Sequence, residues 1–254
     1  MWKGNVYDSK SCSYHRGSSG IGRATCLKFA AKGDKVVVAD FNEEMGRETV
    51  DQITANGGVA IYAKTDVSKQ EDVESLINKA VETYGRLDIM FNNAGIGAGG
   101  MIIDQDMEGY YKAIGVNQHG VAFGIMAAGR KMKELGNKGV IINTASVFGY
   151  LASHGTFAYQ ATKGAVRMMT QSAALELGAH GIRVVGIAPG GVDTPIIQGY
   201  KDMGIIDKLN ATQMRGELIK PEAIANAVYL LSLEEADAIN GSVVMVDDGY
   251  ASFK

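Results

Sequence analysis

Near its start the sequence carries Gly17-Ser-Ser-Gly20-Ile-Gly22, a glycine-rich segment that leads directly into the helix-forming run 23–31. Glycines at such a junction let backbone N–H groups approach a phosphate closely, and the N-terminus of the following helix favours its negative charge. The run Lys35-Val-Val-Val-Ala-Asp40 comes next and is apolar without alternation, which is typical of a strand buried on both faces of a parallel sheet. A glycine-rich turn, a helix and a buried strand in this order predict an α/β fold that binds a ligand at the turn.

The alternation of strands and helices continues along the rest of the chain. Short runs rich in β-branched residues predict further strands at Val59–Ala63, Leu87–Phe91, Gly139–Thr144, Ile182–Ile187 and Ser242–Val246. Helix-like stretches lie at 20–32, 42–56, 69–84, 104–135 (a length that suits two helices), 156–179 and 221–232. We therefore predict a single α/β domain over residues 1–254, a doubly wound, Rossmann-type parallel sheet of about seven strands with helices on both faces.

Composition limits the function classes. The chain has 254 residues, of which 46% are hydrophobic and 21% charged, as in ordinary globular proteins. Its 25 basic and 28 acidic residues give a net charge of −3, without the basic excess of a nucleic-acid binder. Two cysteines, four scattered histidines and the lack of a signal peptide or long apolar stretch predict a cytoplasmic protein that binds no metal, membrane or nucleic acid.

Asp40 ends the strand that follows the glycine-rich segment, 18 residues beyond Gly22. A carboxylate at this place accepts hydrogen bonds from ribose hydroxyls and repels a 2′-phosphate, which favours NAD over NADP as cofactor. An ordinary tight turn would account for the glycines alone, but not for the helix and the acid that follow them.

Several further motifs resemble those of the classical short-chain dehydrogenase/reductase family, over nearly the whole chain. Gly20 and Gly22 match the last two glycines of the family's Thr-Gly-x-x-x-Gly-x-Gly, and Asn92-Asn-Ala-Gly95 matches its Asn-Asn-Ala-Gly. Pro189-Gly-Gly-Val-Asp-Thr194 is similar to the segment that holds the nicotinamide carboxamide, and Asp66-Val67 to the pair that contacts adenine. The resemblance implies these cofactor-binding residues: Ser19, Gly20, Ile21, Gly22, Asp40, Asp66, Val67, Asn92, Ala94, Gly95, Tyr159, Lys163, Pro189, Gly190, Val192 and Thr194.

Tyr159 and Lys163 stand four residues apart in a predicted helix, so that both side chains lie on one face. A lysine ammonium beside a phenol lowers the pKa of the tyrosine from about 10, towards a working pH. Taken alone, such a pair is common by chance and is more often a packed tyrosine and a solvated lysine. Ser146, 13 residues before Tyr159, and Asn117 match the other members of the family's catalytic set.

The resemblance implies a catalytic role for each of these four residues. Tyr159 would exchange the proton of a secondary alcohol or ketone while hydride passes to or from the nicotinamide. Ser146 would position the substrate oxygen, Lys163 would also hold the nicotinamide ribose, and Asn117 would anchor a water in the proton relay. The family also implies a homotetramer.

The stretch from about 194 to 216 matches the family's variable substrate lid. It is rather apolar, through Ile196, Ile197, Tyr200, Met203, Ile205, Ile206 and Met214. Such a wall suits a secondary alcohol or ketone on a hydrophobic or cyclic body, such as a steroid or bile acid. Packing of the same residues on each other or on a partner subunit would account for them equally.

Two segments depart from the family pattern. The stretch 5–16 is polar, carries Asp8 and Lys10, and has His15 and Arg16 where the family has Thr and Gly. Three interpretations stay open: a local error in the sequence, a genuine variant in which part of the stretch still pairs as a strand, or a catalytically impaired dinucleotide-binding protein. Contact of Arg16 with a cofactor phosphate would weaken the preference for NAD. Near the C-terminus, Asp247-Asp248-Gly249 replaces the usual Asp-Gly-Gly.

Overall fold

The computed structural model describes residues 10–253, apart from the side chains of Tyr14, His15 and Phe253. Within this range seven parallel strands form one sheet in the order β3-β2-β1-β4-β5-β6-β7. They are β1 (Ser11–His15), β2 (Lys35–Asp40), β3 (Val59–Lys64), β4 (Ile89–Asn92), β5 (Gly139–Thr144), β6 (Ile182–Pro189) and β7 (Val243–Val246). The strand order reverses between β1 and β4, where open parallel sheets bind ligands at the carboxyl ends of their strands.

Helices cover both faces of this sheet, which confirms the predicted fold. In the described part of the chain they are α1 (Gly20–Ala30), α2 (Glu43–Ala55), α3 (Gln70–Tyr84), α4 (Met107–Ala113), α5 (Gly120–Leu135), α6 (Phe157–Leu177), α7 (Gln198–Asp202), α8 (Ile206–Asn210) and α9 (Pro221–Ser232). A π-helical turn, Ile114–His119, joins α4 to α5. Among residues 10–253, no helix has the length and apolar character needed to cross a membrane.

Neighbouring residues of each strand enter two separate cores, which explains the unbroken apolar runs. Val37 of β2 and Met90 of β4 pack in the core that contains α3, α5 and α6. Val36 and Val38 of β2 pack in the other core, together with Phe29 of α1 and the apolar face of α9. Both faces of each central strand are therefore buried, as the sequence predicted.

β1 lies at the centre of the sheet in spite of its polar sequence. Cys12 stands opposite Val36 of β2 on one side and Ile89 of β4 on the other. Ser11 and Ser13 are fully buried, and their hydroxyl oxygens have no hydrogen-bond partner, which costs free energy. The main-chain hydrogen bonds to two neighbouring strands hold this segment in place.

One charged residue of the stretch 5–16, Lys10, lies just before β1. The ammonium of Lys10 donates to the carbonyl of Ser232 at 3.2 Å, at the edge of the core. Asp8 lies outside the described residues. The structure therefore agrees with the interpretation in which part of the stretch 5–16 pairs as a strand, beginning at Ser11.

Candidate active site

The turn between β1 and α1 lies tightly against the start of the helix. Arg16 follows β1 with φ of +55°, a left-handed conformation that glycine adopts freely and other residues adopt with strain. A Cβ on Gly22 would stand 1.8 Å from the carbonyl oxygen of Arg16, so this position accepts only glycine. The turn therefore keeps the backbone of a glycine-rich loop, although Arg16 stands where the family has glycine.

Asp40 is fixed at the carboxyl end of β2, beside this turn. Its Oδ2 accepts hydrogen bonds from the backbone N–H of Ser18 at 3.2 Å and from the Ser18 hydroxyl at 2.5 Å. Its Oδ1 accepts one from the N–H of Asn42 at 2.9 Å. The structure thus places the carboxylate where the sequence predicted it, next to the glycine-rich turn.

A cavity of about 570 Å³ opens at the carboxyl ends of the central strands. Most of the predicted cofactor-binding residues line it, namely Ser19, Gly20, Ile21, Gly95, Tyr159, Lys163, Pro189, Gly190, Val192 and Thr194. Ser146 is not among the lining residues, although its neighbours Ala145 and Val147 are. Gly22, Asp40, Asp66, Val67, Asn92 and Ala94 are not among them either.

Asn92 and Val67 are buried and do not line the cavity. Asn92 is buried, and its Nδ2 donates to Oδ1 of Asn143 at 2.8 Å, while Nδ2 of Asn143 donates to Thr170 on α6 at 3.0 Å. Val67 is buried against Gly120, where a Cβ would lie 2.9 Å from its side chain. The hydrogen bonds from Asn92 through Asn143 to Thr170 thus connect β4 and β5 to α6.

Three of the four predicted catalytic side chains meet between β5 and α6. Ser146 follows β5, and its Oγ accepts the N–H of Phe148 at 3.2 Å and is hydrogen-bonded to the half-buried Tyr159. Lys163 lies one turn further along α6, with its ammonium 5.6 Å from the centre of the Tyr159 ring. That ammonium is buried and donates to the carbonyl of Thr144 at 2.7 Å.

Burial is the largest influence on the pKa of both ionisable groups. It raises the pKa of Tyr159, against the hydrogen bond with Ser146 and the positive charge of Arg16, which lower it. It also lowers the pKa of Lys163 to about 8, and repulsion by Arg16 acts in the same direction. The prediction that the pKa of Tyr159 is lowered is therefore wrong for this structure, because desolvation of the phenolate outweighs the charges near it.

Asn117 connects the segment after β4 to α6. It lies fully buried in the π-helical turn, and such turns are frequent at functional sites. Its Oδ1 accepts the N–H of Ile96 at 2.8 Å, and its Nδ2 donates to the Ile96 carbonyl at 3.0 Å and to Thr162 at 3.3 Å. These hydrogen bonds fix Ile96 and therefore its neighbour Gly95. Gly95 lies beside Lys163, since a Cβ on Gly95 would lie 3.7 Å from the lysine Nζ.

One side of the cavity, next to Tyr159, has an aromatic wall. Phe148 packs edge-on against Tyr159, with ring centres 6.4 Å apart, and against Tyr250, at 6.1 Å. Of the apolar residues in the stretch 194–216, Ile196, Ile197, Tyr200, Met203 and Ile205 line the cavity, whereas Ile206 and Met214 do not. Sequence reasoning missed Tyr250, because only the path of the C-terminal segment brings it here.

Among the described residues, no three histidine, cysteine, aspartate or glutamate side chains lie close enough together to hold a metal ion.

Known proteins of one family resemble this chain over most of its length. The family model described as enoyl-(acyl carrier protein) reductase matches residues 17–251. LinX from Sphingobium indicum, a 2,5-dichloro-2,5-cyclohexadiene-1,4-diol dehydrogenase, is 38% identical over 235 residues, which cover 92% of this chain and 93% of that protein. The chain belongs to the classical short-chain dehydrogenase/reductase family.

Two further relatives match this short-chain dehydrogenase/reductase over almost its full length. A cyclohexanol dehydrogenase from an Acinetobacter species is 34% identical over 256 residues, covering 98% of this chain and 97% of that protein. The crystal structure of gox2181 aligns with a TM-score of 0.91 and 27% identity, over 97% of both chains. The family uses nicotinamide cofactors for oxidation and reduction, so the cleft can be tested against such a dinucleotide.

The cleft of this short-chain dehydrogenase/reductase fits a nicotinamide dinucleotide with one exception. Asp40 and the start of α1, beside the cavity, suit a ribose and a pyrophosphate, and the Tyr159–Lys163 pair lines the cavity itself. The exception is Arg16, whose guanidinium lies in the same cavity and donates a hydrogen bond to the carbonyl of Gly95.

Proposed function

We propose that this protein is a dehydrogenase that transfers a hydride between NAD and a secondary alcohol or ketone on a hydrophobic ring. The observation that carries the proposal is the placement of the Ser146, Tyr159 and Lys163 cluster at a cavity that also contains the glycine-rich turn and an apolar wall. The bound nicotinamide would supply the hydride chemistry, while the protein supplies position and charge.

Tyr159 carries the proton. In reduction its hydroxyl gives a proton to the substrate oxygen, and in oxidation its phenolate accepts the alcohol proton. Because burial raises its pKa, Tyr159 is protonated at neutral pH and ready to donate, whereas oxidation is favoured by alkaline pH. Ser146 is held by the N–H of Phe148 and by Tyr159, which fixes its hydroxyl beside the oxygen that gains or loses the proton.

Asp40 supports NAD as the preferred cofactor and NADP as the less favoured one. The carboxylate is held by Ser18 and Asn42, so it cannot turn away from a ligand in the cleft without breaking these bonds. Its negative charge would repel a 2′-phosphate and accept hydrogen bonds from free ribose hydroxyls.

The ring substrate is supported by the apolar wall and by the relatives. Phe148, Ile196, Tyr200 and Met203 line the cavity near Tyr159. Two similar proteins are named as dehydrogenases of a cyclic diol and of cyclohexanol. We also propose that the chain is one catalytic domain and that residues 194–216 form its substrate lid. A steroid or bile acid is the larger alternative to a substrate with a single ring.

A substrate series tests the proposal directly. The purified protein is assayed with NAD and with NADP on cyclohexanol, a cyclohexanediol, a hydroxysteroid and, as an open-chain control, 2-hexanol, and NADH formation is followed by absorbance. We expect turnover of a ring alcohol with NAD and a much lower kcat/KM for 2-hexanol. NADH binding without turnover of any alcohol or ketone would instead favour the non-catalytic dinucleotide-binding alternative.

Exposed apolar side chains support the homotetramer. Leu175 on α6 is 85% exposed, and Met126 on the adjacent α5 is 43% exposed. A separate apolar surface lies at one edge of the sheet, where Leu230 on α9 and Met245 on the edge strand β7 are exposed. Two distinct surfaces of this kind suit a tetramer with two types of two-fold interface, which light scattering would detect as four times the mass of the chain.

A further inference from the structure

Arg16 is the one residue of the glycine-rich turn that extends a long side chain into the cleft. It leaves β1 at φ of +55° and lines the cavity. Its guanidinium donates to the carbonyl of Gly95, on the segment that follows β4. The side chain therefore bridges the two strands between which the sheet order reverses.

The end of this bridge lies beside the catalytic pair. Gly95 adjoins Lys163, since a Cβ on Gly95 would stand 3.7 Å from the lysine Nζ. The positive charge of Arg16 is also close enough to lower the pKa of both Tyr159 and Lys163. The guanidinium thus lies between the phosphate-binding turn and the groups that act on the substrate.

A dinucleotide has to cross this same space. Its phosphates belong at the turn and the start of α1, and its nicotinamide belongs beside Tyr159. Resting on the proposed function, we propose that Arg16 is a gate: its guanidinium obstructs the nicotinamide half of the cleft and must leave Gly95 before a dinucleotide can bind. The adenosine half, at Asp40, lies on the other side of the turn and is not obstructed.

Two substitutions of Arg16 distinguish a gate from a phosphate-binding residue. Glycine adopts the left-handed backbone of residue 16 without strain, so Arg16→Gly removes the gate and keeps the turn. Arg16→Met keeps a long side chain and the same strained backbone but has no donor for the Gly95 carbonyl. A phosphate-binding role of Arg16 would be lost in both variants, whereas a gate would be opened in both.

The test is a titration of the wild-type protein and both variants with NADH, followed by fluorescence, and with AMP, followed by calorimetry. We expect the Kd for NADH to fall about tenfold in each variant, because a wild-type cleft that is open about a tenth of the time binds about tenfold more weakly. The Kd for AMP should stay within about twofold of the wild-type value. Unchanged or weaker NADH binding in the variants would overturn the gate while leaving the proposed function standing. Failure of all three proteins to bind NADH would overturn both. Melting temperatures without ligand show that each variant is folded.

Discussion

Asp248 accepts two hydrogen bonds from Arg215, one from its backbone N–H at 2.9 Å and one from its guanidinium Nε at 2.8 Å. Asp248 has φ of +49°, and its own carbonyl accepts the N–H of Met214 at 2.9 Å. The C-terminal segment is thereby fastened to the end of the proposed lid, 194–216. The family's usual glycine at this position would adopt the backbone without strain, but it would lack the carboxylate that holds Arg215.

Replacement of Asp248 by glycine should loosen the lid with little effect on global stability. Relief of left-handed strain, about 1 kcal/mol, offsets the loss of an ion pair whose arginine is exposed and which contributes about 0–1 kcal/mol. We expect faster hydrogen exchange over residues 205–216 and a higher KM for the alcohol. Asp248→Asn, which tolerates the same backbone and keeps one acceptor, is the control and should give a smaller change. Equal exchange in the wild type and Asp248→Gly would show that the contact does not hold the lid.

The cofactor preference should depend on the charge of Asp40. Asp40→Asn keeps the volume but removes the charge that repels a 2′-phosphate, so we expect NADH to bind about tenfold more weakly and NADPH more tightly. Asp51→Asn removes the same charge from an exposed position on α2, where no cofactor contact is proposed, and serves as the matched control. An equal shift of preference in both variants would contradict a specific role of Asp40.

Two glycines in neighbouring helices should respond oppositely to alanine. A Cβ at Gly124 on α5 would stand 1.9 Å from Oδ1 of Asn92, so Gly124→Ala should lower the free energy of unfolding by about 1–3 kcal/mol. Gly164 on α6 has no atom within 4 Å of such a Cβ, and Gly164→Ala should raise stability by up to about 1 kcal/mol. Urea unfolding measures both. Similar effects of the two changes would mean that the network around Asn92 is not closely packed.

Lys163 should reduce stability at neutral pH. Its lowered pKa of about 8, against about 10.4 for an unfolded lysine, corresponds to about 3 kcal/mol of destabilisation while the ammonium is charged. Lys163→Met removes this cost together with the hydrogen bond to Thr144, which stabilises by about 1 kcal/mol, so the variant should be the more stable protein at pH 7.

The sign of the pH dependence follows from proton release. Between about pH 8 and 10 the folded wild-type protein loses the Lys163 proton while the unfolded chain keeps it, so wild-type stability rises relative to the variant. Tyr159 is present in both proteins, and its raised pKa cancels to first order in the comparison. Urea unfolding should therefore show that the difference in the free energy of unfolding between Lys163→Met and the wild type is smaller at about pH 9.5 than at pH 7. The same gap at both pH values would contradict a buried, charged Lys163.

Local patterns predicted most of the sheet. The strands 35–40 and 139–144 and the helix 221–232 have the bounds that the sequence predicted, because continuous β-branched runs and a proline at a helix start are strong local signals. β1 could not be predicted in this way. Its serines have no strand-like pattern, and its place depends on hydrogen bonds to β2 and β4, which lie 20 or more residues away along the chain.

The sequence motifs predicted which residues form the candidate site, but not the surroundings of each side chain. Ser146, Tyr159 and Lys163 do come together, and Asn117 lies next to them as a clamp on Ile96. The direction of the Tyr159 pKa could not be predicted, because it depends on how deeply the phenol is buried. Nor could the approach of Tyr250 to Phe148, since it depends on the path of the C-terminal segment.

The most direct test of the account is the turnover of a ring alcohol with NAD by Tyr159→Phe, compared with the wild-type protein. Phenylalanine keeps the ring that packs against Phe148 and removes only the hydroxyl that carries the proton. We predict that NADH still binds to Tyr159→Phe, with a Kd within a few-fold of the wild-type value, and that kcat falls by about 10³-fold in the variant. Turnover by Tyr159→Phe within a few-fold of the wild-type rate would contradict the central role of Tyr159 and with it the proposed mechanism.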